Sequence, residues 1–390
     1  MNTQLLPFRL EAPADGRPDL LVIAGEHSGD QHAAAMVREL RAKQSGIVVT
    51  ALGGPELAES GAQLLHDMTA SSVVGLVEVL KNYSFFKALF DEILRWIAEY
   101  RPRAICFVDY PGLNLRLAAA LHERGLSLKG GGEIPLLFYI SPQIWAWKAK
   151  RRFKMAAHLD ALAVIFPFEV DCYADTDLSA EFVGHPFVSG AHEAPVSYAE
   201  DGPILLLPGS RKQAVGRIYP VLLRGFAAAR PARPAVVLYP SEMIRGVLEE
   251  IGVPAGVTLQ RTGESLAASA VLTSSGTMSM HCALAGIPGA VVYRANVLTY
   301  LLGRWLVKVP YLGIANLLLK ESMYPEYIQG AATPTALAAE VQACLADPKR
   351  VATTAAQADR LRAMLQVPAR GTAADWVLRH LPQSGGMASP

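Results

Sequence analysis

Short apolar runs recur through the first half of the chain at 20–24, 47–52, 104–108, 135–140 and 161–166. Between most of them lie longer stretches with helical spacing, among them 31–43, 85–99 and 114–124. Strand-length runs alternating with amphipathic segments predict βαβ units on a parallel sheet. The second half repeats the plan, with Ile204–Leu207, Ala235–Tyr239, Val257–Leu259, Ala270–Thr273 and Ala290–Tyr293 as strands. The expected fold is therefore α/β, with two Rossmann-like lobes and a cleft between them. Residues 188–202, VSGAHEAPVSYAEDG, are small, polar and proline-containing, which suits a linker. The expected lobes are 1–195 and 196–365. A last helix within 366–382, around Gly371–His380, is expected to return to the first lobe, and 383–390 reads as a disordered tail.

Two apolar segments need weighing against a bilayer. Residues 295–319 are long enough to span one, but Arg304, Lys308, Pro310 and Gly313 interrupt them. A cationic amphipathic surface touching lipid, or a buried helix and loop, fits them better. The stripe in 83–97, YSFFKALFDEILRWI, reads first as core packing.

Composition narrows the classes. Hydrophobic residues at 51% and charged ones at 18% describe a folded, apolar protein, and a net charge of +1 argues against bulk electrostatic binding of nucleic acid. The four cysteines have no C-x-x-C spacing and the nine histidines no H-x-x-x-H pair, so reduced thiols are expected, with no metal and no cofactor. The N-terminus lacks a basic start followed by an apolar core, and no secretion signal is expected there.

Candidate chemistry gathers where strands end. Residues 19–40, DLLVIAGEHSGDQHAAAMVREL, run from a strand through a polar loop into a helix. Gly25 and Gly29 suit a tight turn, Ser28 and Asp30 are N-cap types, and Glu26, His27, Ser28 and Asp30 crowd a strand's carboxyl end, where open α/β sheets bind ligands. The G-x-x-x-G spacing is neither the dinucleotide fingerprint nor a Walker loop. In CFVDYPGLN (106–114), Asp109 closes a strand and is placed as a general base. YISPQIWAWKAKRR (139–152) joins Trp145 and Trp147 to Lys148, Lys150, Arg151 and Arg152, and reads equally as a loop whose tryptophans enter the core. ILLLPGSR (204–211) offers Arg211 to a pyrophosphate, and SSGTMSMHCAL (274–284) offers small residues whose amides cradle phosphate.

Taken in order, these motifs resemble the lipid-A-disaccharide synthases, inverting glycosyltransferases of two-lobed GT-B architecture. The resemblance runs from about Leu21 to Gln329 and includes AGEHSGD, LGGPEL (52–57), VGLVEVL (74–80), the Asp109 motif, YISPQIWAWKAKR, FPFE (166–169), FVGHP (182–186), LLPGSR, SSGT, and PYLGIANLL with PEYIQ. It implies transfer of 2,3-diacylglucosamine from its UDP donor to the 6-hydroxyl of 2,3-diacylglucosamine 1-phosphate, giving a β-1′,6 disaccharide and UDP. It also implies Asp109 as the base. Donor contacts would come from Gly209, Ser210, Arg211, Ser275, Gly276, Thr277, His281, Asn316, Glu326 and Gln329. Acceptor or sugar contacts would come from Glu26, Ser28, Gly29, Asp30, Ser141, Trp145, Trp147 and Lys148. Apolar stripes near 83–97 and 297–307 would take acyl chains on the anionic, cytoplasmic face of the inner membrane. No nucleic-acid partner is expected, and the reading allows a homodimer.

The chain departs from the family pattern mostly on the nucleotide side. His281 stands where an acidic residue is usual, Lys212-Gln213-Ala214 follow Arg211 in place of G-x-E, Gly112 replaces a second aspartate, and Leu319-Lys320-Glu321-Ser322 replace Ala-Gly-Arg-Glu. Two alternatives therefore stay open: a related GT-B transferase or nucleotide-sugar epimerase with another donor, and a membrane-associated binding protein without catalysis.

Overall fold

The computed structural model describes residues 9–69, 83–188, 193–296 and 309–382. VGLVEVL, the 297–307 stripe and the tail from 383 lie outside them. Two compact units emerge, Met1–Pro186 with Val367–Pro390, and Phe187–Gln366. The division falls at 186/187, ahead of the 195/196 boundary expected from sequence, and Val196–Tyr198 in the supposed linker form a strand of the second unit.

In the first unit, β1 (Leu20–Ala24), β2 (Val49–Gly53), β3 (Gln63–Asp67), β4 (Ala104–Val108), β5 (Leu136–Tyr139), β6 (Ala161–Val164) and β7 (Ser179–Phe182) form one sheet. Its order is β3-β2-β1-β4-β5-β6-β7, every pair parallel. β1, β2, β4, β5 and β6 are buried along their whole length, since helices cover both faces of such a sheet. The helix Tyr83–Tyr100 supplies Leu89, Ile93, Leu94, Trp96 and Ile97 to one face. From Leu89 to Ile97 the stripe is thus core, as its first reading had it, and these side chains are not free for acyl chains. On the other face, His27–Lys43 packs with the helix Ala373–His380, whose Trp376 is fully buried. Lys43 Nζ to Asp375 (2.5 Å) and Thr372 Oγ1 to Glu39 (2.7 Å) tie the two helices at their rim.

The second unit begins with β8 (Val196–Tyr198), which pairs in parallel with β12 (Leu266–Ala268). Its main sheet contains β9 (Ile204–Leu207), β10 (Ala235–Tyr239), β11 (Val257–Arg261), β13 (Ala270–Thr273), β14 (Gly289–Tyr293) and β15 (Glu326–Ile328). The order is β11-β10-β9-β13-β14-β15, again all parallel. In both sheets the order reverses beside the first strand, between β1 and β4 and between β9 and β13. Loops leaving those strands' carboxyl ends diverge to opposite faces and open the crevice in which doubly wound sheets bind ligands.

Candidate functional site

Asp109 follows β4 at the first unit's reversal point, where Ala24 pairs with Val108. Its side chain is half-buried. The backbone is unusual: Asp109 (φ +48°) and Tyr110 (φ +49°) both occupy the left-handed region. That region is disfavoured for residues with a β-carbon, and Tyr110 also precedes Pro111, where extended backbone is normal. Gly25 makes room for the bend, because a β-carbon there would lie 2.1 Å from the Tyr110 ring. Sequence reasoning passed over Tyr110. The residue before a proline at a strand end was its only signal.

The loop after β1 differs from its sequence reading. The helix starts at His27, so Ser28, Gly29 and Asp30 belong to its first turn, and Glu26 is the N-cap with no side-chain cap bond. Gly29 therefore makes no tight turn. Asp30, expected beside a sugar, is fully buried. Its carboxylate accepts the amides of Gly54 (2.7 Å), Glu56 (3.0 Å) and Leu57 (3.3 Å), capping the short helix Pro55–Glu59. Burial raises its pKa above the ordinary carboxylate range against the pull of those three amides. Glu26 and Ser28 keep part of their surface accessible.

The Ser141–Lys148 stretch also divides. Ser141 is buried and shares a 2.7 Å hydrogen bond with the Tyr173 hydroxyl, so its expected sugar contact is corrected. Trp145 donates its indole N–H to Glu169 (3.1 Å) and meets Phe166 and Phe168 edge-on. Burial pushes the Glu169 carboxyl up to about 7. Trp147 is 38% exposed, with the Lys148 ammonium 4.3 Å from its ring and Arg151 at 5.4 Å. Further along the same stretch Phe153 is 48% exposed.

At the second unit's reversal point, where Leu207 pairs with Thr273, two loops lead into helix N-termini. Gly209 takes φ +106°, a backbone open in practice to glycine, and Ser210 and Arg211 are exposed ahead of the helix Lys212–Ala229. Opposite, Ser275 donates to Leu312 O (3.1 Å), while Gly276 and Thr277 are exposed at the start of the helix Thr277–Leu284. Amides at both helix starts suit an anion. His281 lies on that second helix, buried, its ring 3.8 Å from that of Phe187. It also lines a cavity of about 400 Å³ with Phe187, Tyr198, Leu284 and Arg362, to which neither Arg211 nor the Ser275–Thr277 turn contributes.

Three expected donor residues are turned toward protein instead. Asn316 is buried, donates to Tyr324 O (2.7 Å) and Glu326 (2.9 Å), and accepts the amides of Met323 and Tyr324, both at 2.9 Å. Glu326 accepts the amides of Leu312 (2.8 Å) and Gly313 (2.9 Å) ahead of the helix Ile314–Leu319. Gln329 pairs twice with the Ala295 backbone at 3.1 Å. These polar side chains knit the loops around β14 and β15, which a motif alone cannot distinguish from ligand binding.

Among the described residues no cluster of three or more His, Cys, Asp or Glu could hold a metal ion, and no helix is long and apolar enough to cross a membrane.

Two doubly wound Rossmann-like sheets, one with a carboxylate and the other with two helix N-termini at its reversal point, define a protein of GT-B fold. Solved structures share the fold: a glycotransferase of kitacinnamycin (TM-score 0.57, 19% identical, covering 94% of this chain and 100% of that one) and a UDP-GlcNAc 2-epimerase from Neisseria meningitidis (TM-score 0.55, 10% identical, 92% and 98%). At such identities the likeness speaks for the fold alone.

The chain belongs to the lipid-A-disaccharide synthetase family, whose sequence profile matches residues 20–375, and it is accordingly a glycosyltransferase. Similar relatives are the lipid-A-disaccharide synthases of Anaeromyxobacter dehalogenans (37% identical over 346 residues, 84% of this chain and 88% of the relative) and Nitrosococcus oceani (33% over 356 residues, 85% and 88%). Membership favours the synthase over the epimerase alternative, which the shared fold could not separate from it.

Proposed function

We propose that this chain transfers a 2,3-diacylglucosamine unit from its UDP conjugate to the 6-hydroxyl of 2,3-diacylglucosamine 1-phosphate. The observation that carries the mechanism is Asp109, held at a sheet's reversal point on a strained backbone. Its carboxylate takes the proton of the acceptor hydroxyl as that oxygen attacks the anomeric carbon. The bond from that carbon to the donor diphosphate breaks on the opposite face, which inverts the centre and releases UDP. Negative charge grows on the leaving diphosphate. Arg211 and the amides of Gly209–Arg211 and Ser275–Thr277 act there, since donors aimed at developing charge lower the barrier. Glu26 and Ser28 remain for the sugars, whereas Asp30, Ser141, Asn316, Glu326 and Gln329 support the loops.

Incubation with both substrates, followed by mass spectrometry, tests the reading: disaccharide forms with the native chain and vanishes with Asp109→Asn while UDP still binds. An Asp109→Asn variant of undiminished rate removes Asp109 from the chemistry.

For substrates with two acyl chains, contact with anionic lipid follows, and with Leu89–Ile97 of the first stripe turned into the core we assign it to Trp147–Lys154. There exposed Trp147 and Phe153 stand among Lys148, Lys150, Arg151 and Lys154. Binding to anionic vesicles falls with salt and with Trp147→Ala. A chain that ignores such vesicles at low salt contradicts the assignment.

A further inference from the structure

Asn114 lies one turn into the helix Pro111–Glu123 and is completely buried. Its side-chain nitrogen faces three backbone carbonyls: Asp109 O at 2.7 Å, Ile23 O at 3.3 Å and Val108 O at 3.4 Å. Three acceptors on one side of the amide fix its orientation, because the reversed amide would set oxygen against oxygen. Two protons shared over three carbonyls concentrate on the nearest, which belongs to Asp109. The amide oxygen, by contrast, is buried with no hydrogen-bond partner. An unsatisfied buried acceptor opposes folding, so an apolar residue would suit this core position better were the nitrogen not in use.

What the nitrogen holds is the least comfortable backbone in the site. Asp109 and Tyr110 are consecutive left-handed residues with β-carbons, and Tyr110 serves as N-cap in that conformation with no side-chain cap bond. An N-cap normally has extended backbone. From the other side, Asp109 N donates to Tyr139 O (3.0 Å). Asn114 anchors the carbonyl end of the same residue, and its side chain also reaches the carboxyl ends of both β1 and β4.

We propose that Asn114 is a positioning residue, which holds the Asp109–Tyr110 backbone left-handed and so aims the Asp109 carboxylate at the acceptor hydroxyl. The proposal rests on the reading of Asp109 as base. Without the clamp, Tyr110 relaxes toward the extended backbone preferred before proline, and the carboxylate swings with it. Misplacement of a base by about 1 Å costs on the order of 100-fold in rate.

The experiment is a double-mutant cycle on the full chain, read as kcat, KM and UDP affinity. Asn114→Ala lowers kcat roughly 10- to 100-fold, with KM and UDP affinity nearly unchanged. Tyr110→Asn places a residue tolerant of left-handed backbone at the strained position, and in that background Asn114→Ala costs several-fold less. Equal losses in the two backgrounds overturn the proposal, as does a fall confined to KM. If Asn114→Ala does not fold, Asn114→Ser, which keeps one donor, takes its place in the cycle, and the same two outcomes overturn the proposal. An active Asp109→Asn overturns the base and this role together. An inactive Asp109→Asn beside a fully active Asn114→Ala overturns the positioning role alone.

Discussion

Replacing Asp30 separates a carboxylate that binds substrate from one that holds the fold. In Asp30→Ala the amides of Gly54, Glu56 and Leu57 lose their acceptor in a buried setting. Hydrogen bonds to a charged acceptor contribute about 1.5–3 kcal/mol each, but burial of the charge, which raises the Asp30 pKa, offsets part of their sum. A net loss of roughly 3–5 kcal/mol follows, with about 1–2 kcal/mol for Asp30→Asn, which keeps one acceptor oxygen and removes the buried charge. For a unit of about 200 residues, 1 kcal/mol shifts the melting point by roughly 2–4 °C, so Asp30→Ala should melt roughly 6–20 °C lower. Calorimetry of the full chain reads the shift. Hydrogen exchange localises it, since the amides of Gly54, Glu56 and Leu57 should lose protection first. Asp30→Asn should retain most of its activity below its melting point. Native-like melting together with a hundredfold loss of kcat/KM would mean that the carboxylate works on substrate, and the capping role would fall.

Glu169 makes stability depend on pH near neutrality. Its folded pKa of about 7 exceeds the ordinary 4.5, so the folded chain holds the proton more tightly than the unfolded one. The stabilisation is complete below pH 4.5 and is lost as pH rises through 7, in total about 3 kcal/mol at 1.36 kcal/mol per pK unit. Denaturant melts at pH 5 and pH 8, followed by tryptophan fluorescence, should show this slope in the native chain and not in Glu169→Gln; the same slope in both excludes Glu169 as its source. His281→Glu should tighten UDP binding by about 1.5–3 kcal/mol in calorimetric titration if residue 281 meets the ribose, and equal affinities would remove it from the donor site.

Most strands legible from sequence are buried on both faces; the edge strand begun at Val257–Leu259 is the exception, legible although only partly buried. Leu20–Ala24, Ala104–Val108, Ile204–Leu207, Ala235–Tyr239 and Ala270–Thr273 match their apolar runs residue for residue, because central parallel strands can be nothing but apolar. The strands missed were β3, β7 and β15 at sheet edges, together with the small pair β8 and β12. Gln63–Asp67 and Glu326–Ile328 are half-buried and carry polar residues, so no run announces them. The site followed a similar rule. Motif order led to the family and to the loops at both reversal points, but residue type did not say which way a polar side chain faces. Asp30, Ser141, Asn316, Glu326 and Gln329 look like binding residues because they are polar near strand ends. Their partners are mostly backbone groups brought in from elsewhere in the chain, a pairing that only the folded geometry reveals.

The return of the helix Ala373–His380 to the first unit has a consequence for synthesis. Trp376 fills a slot beside His27–Lys43 that was made by the opening residues of the chain. At roughly 5–20 residues per second, a ribosome needs roughly 10–40 s to travel from Pro186 to Ala373. For that interval the nascent first unit carries an open apolar groove along Ala33, Met36, Val37 and Leu40 while the whole second unit is being made. The second unit is continuous in sequence and can close as it emerges. The first must wait for the last helix, which makes its unfinished groove the surface on which a chaperone, or a neighbouring nascent chain, would first take hold.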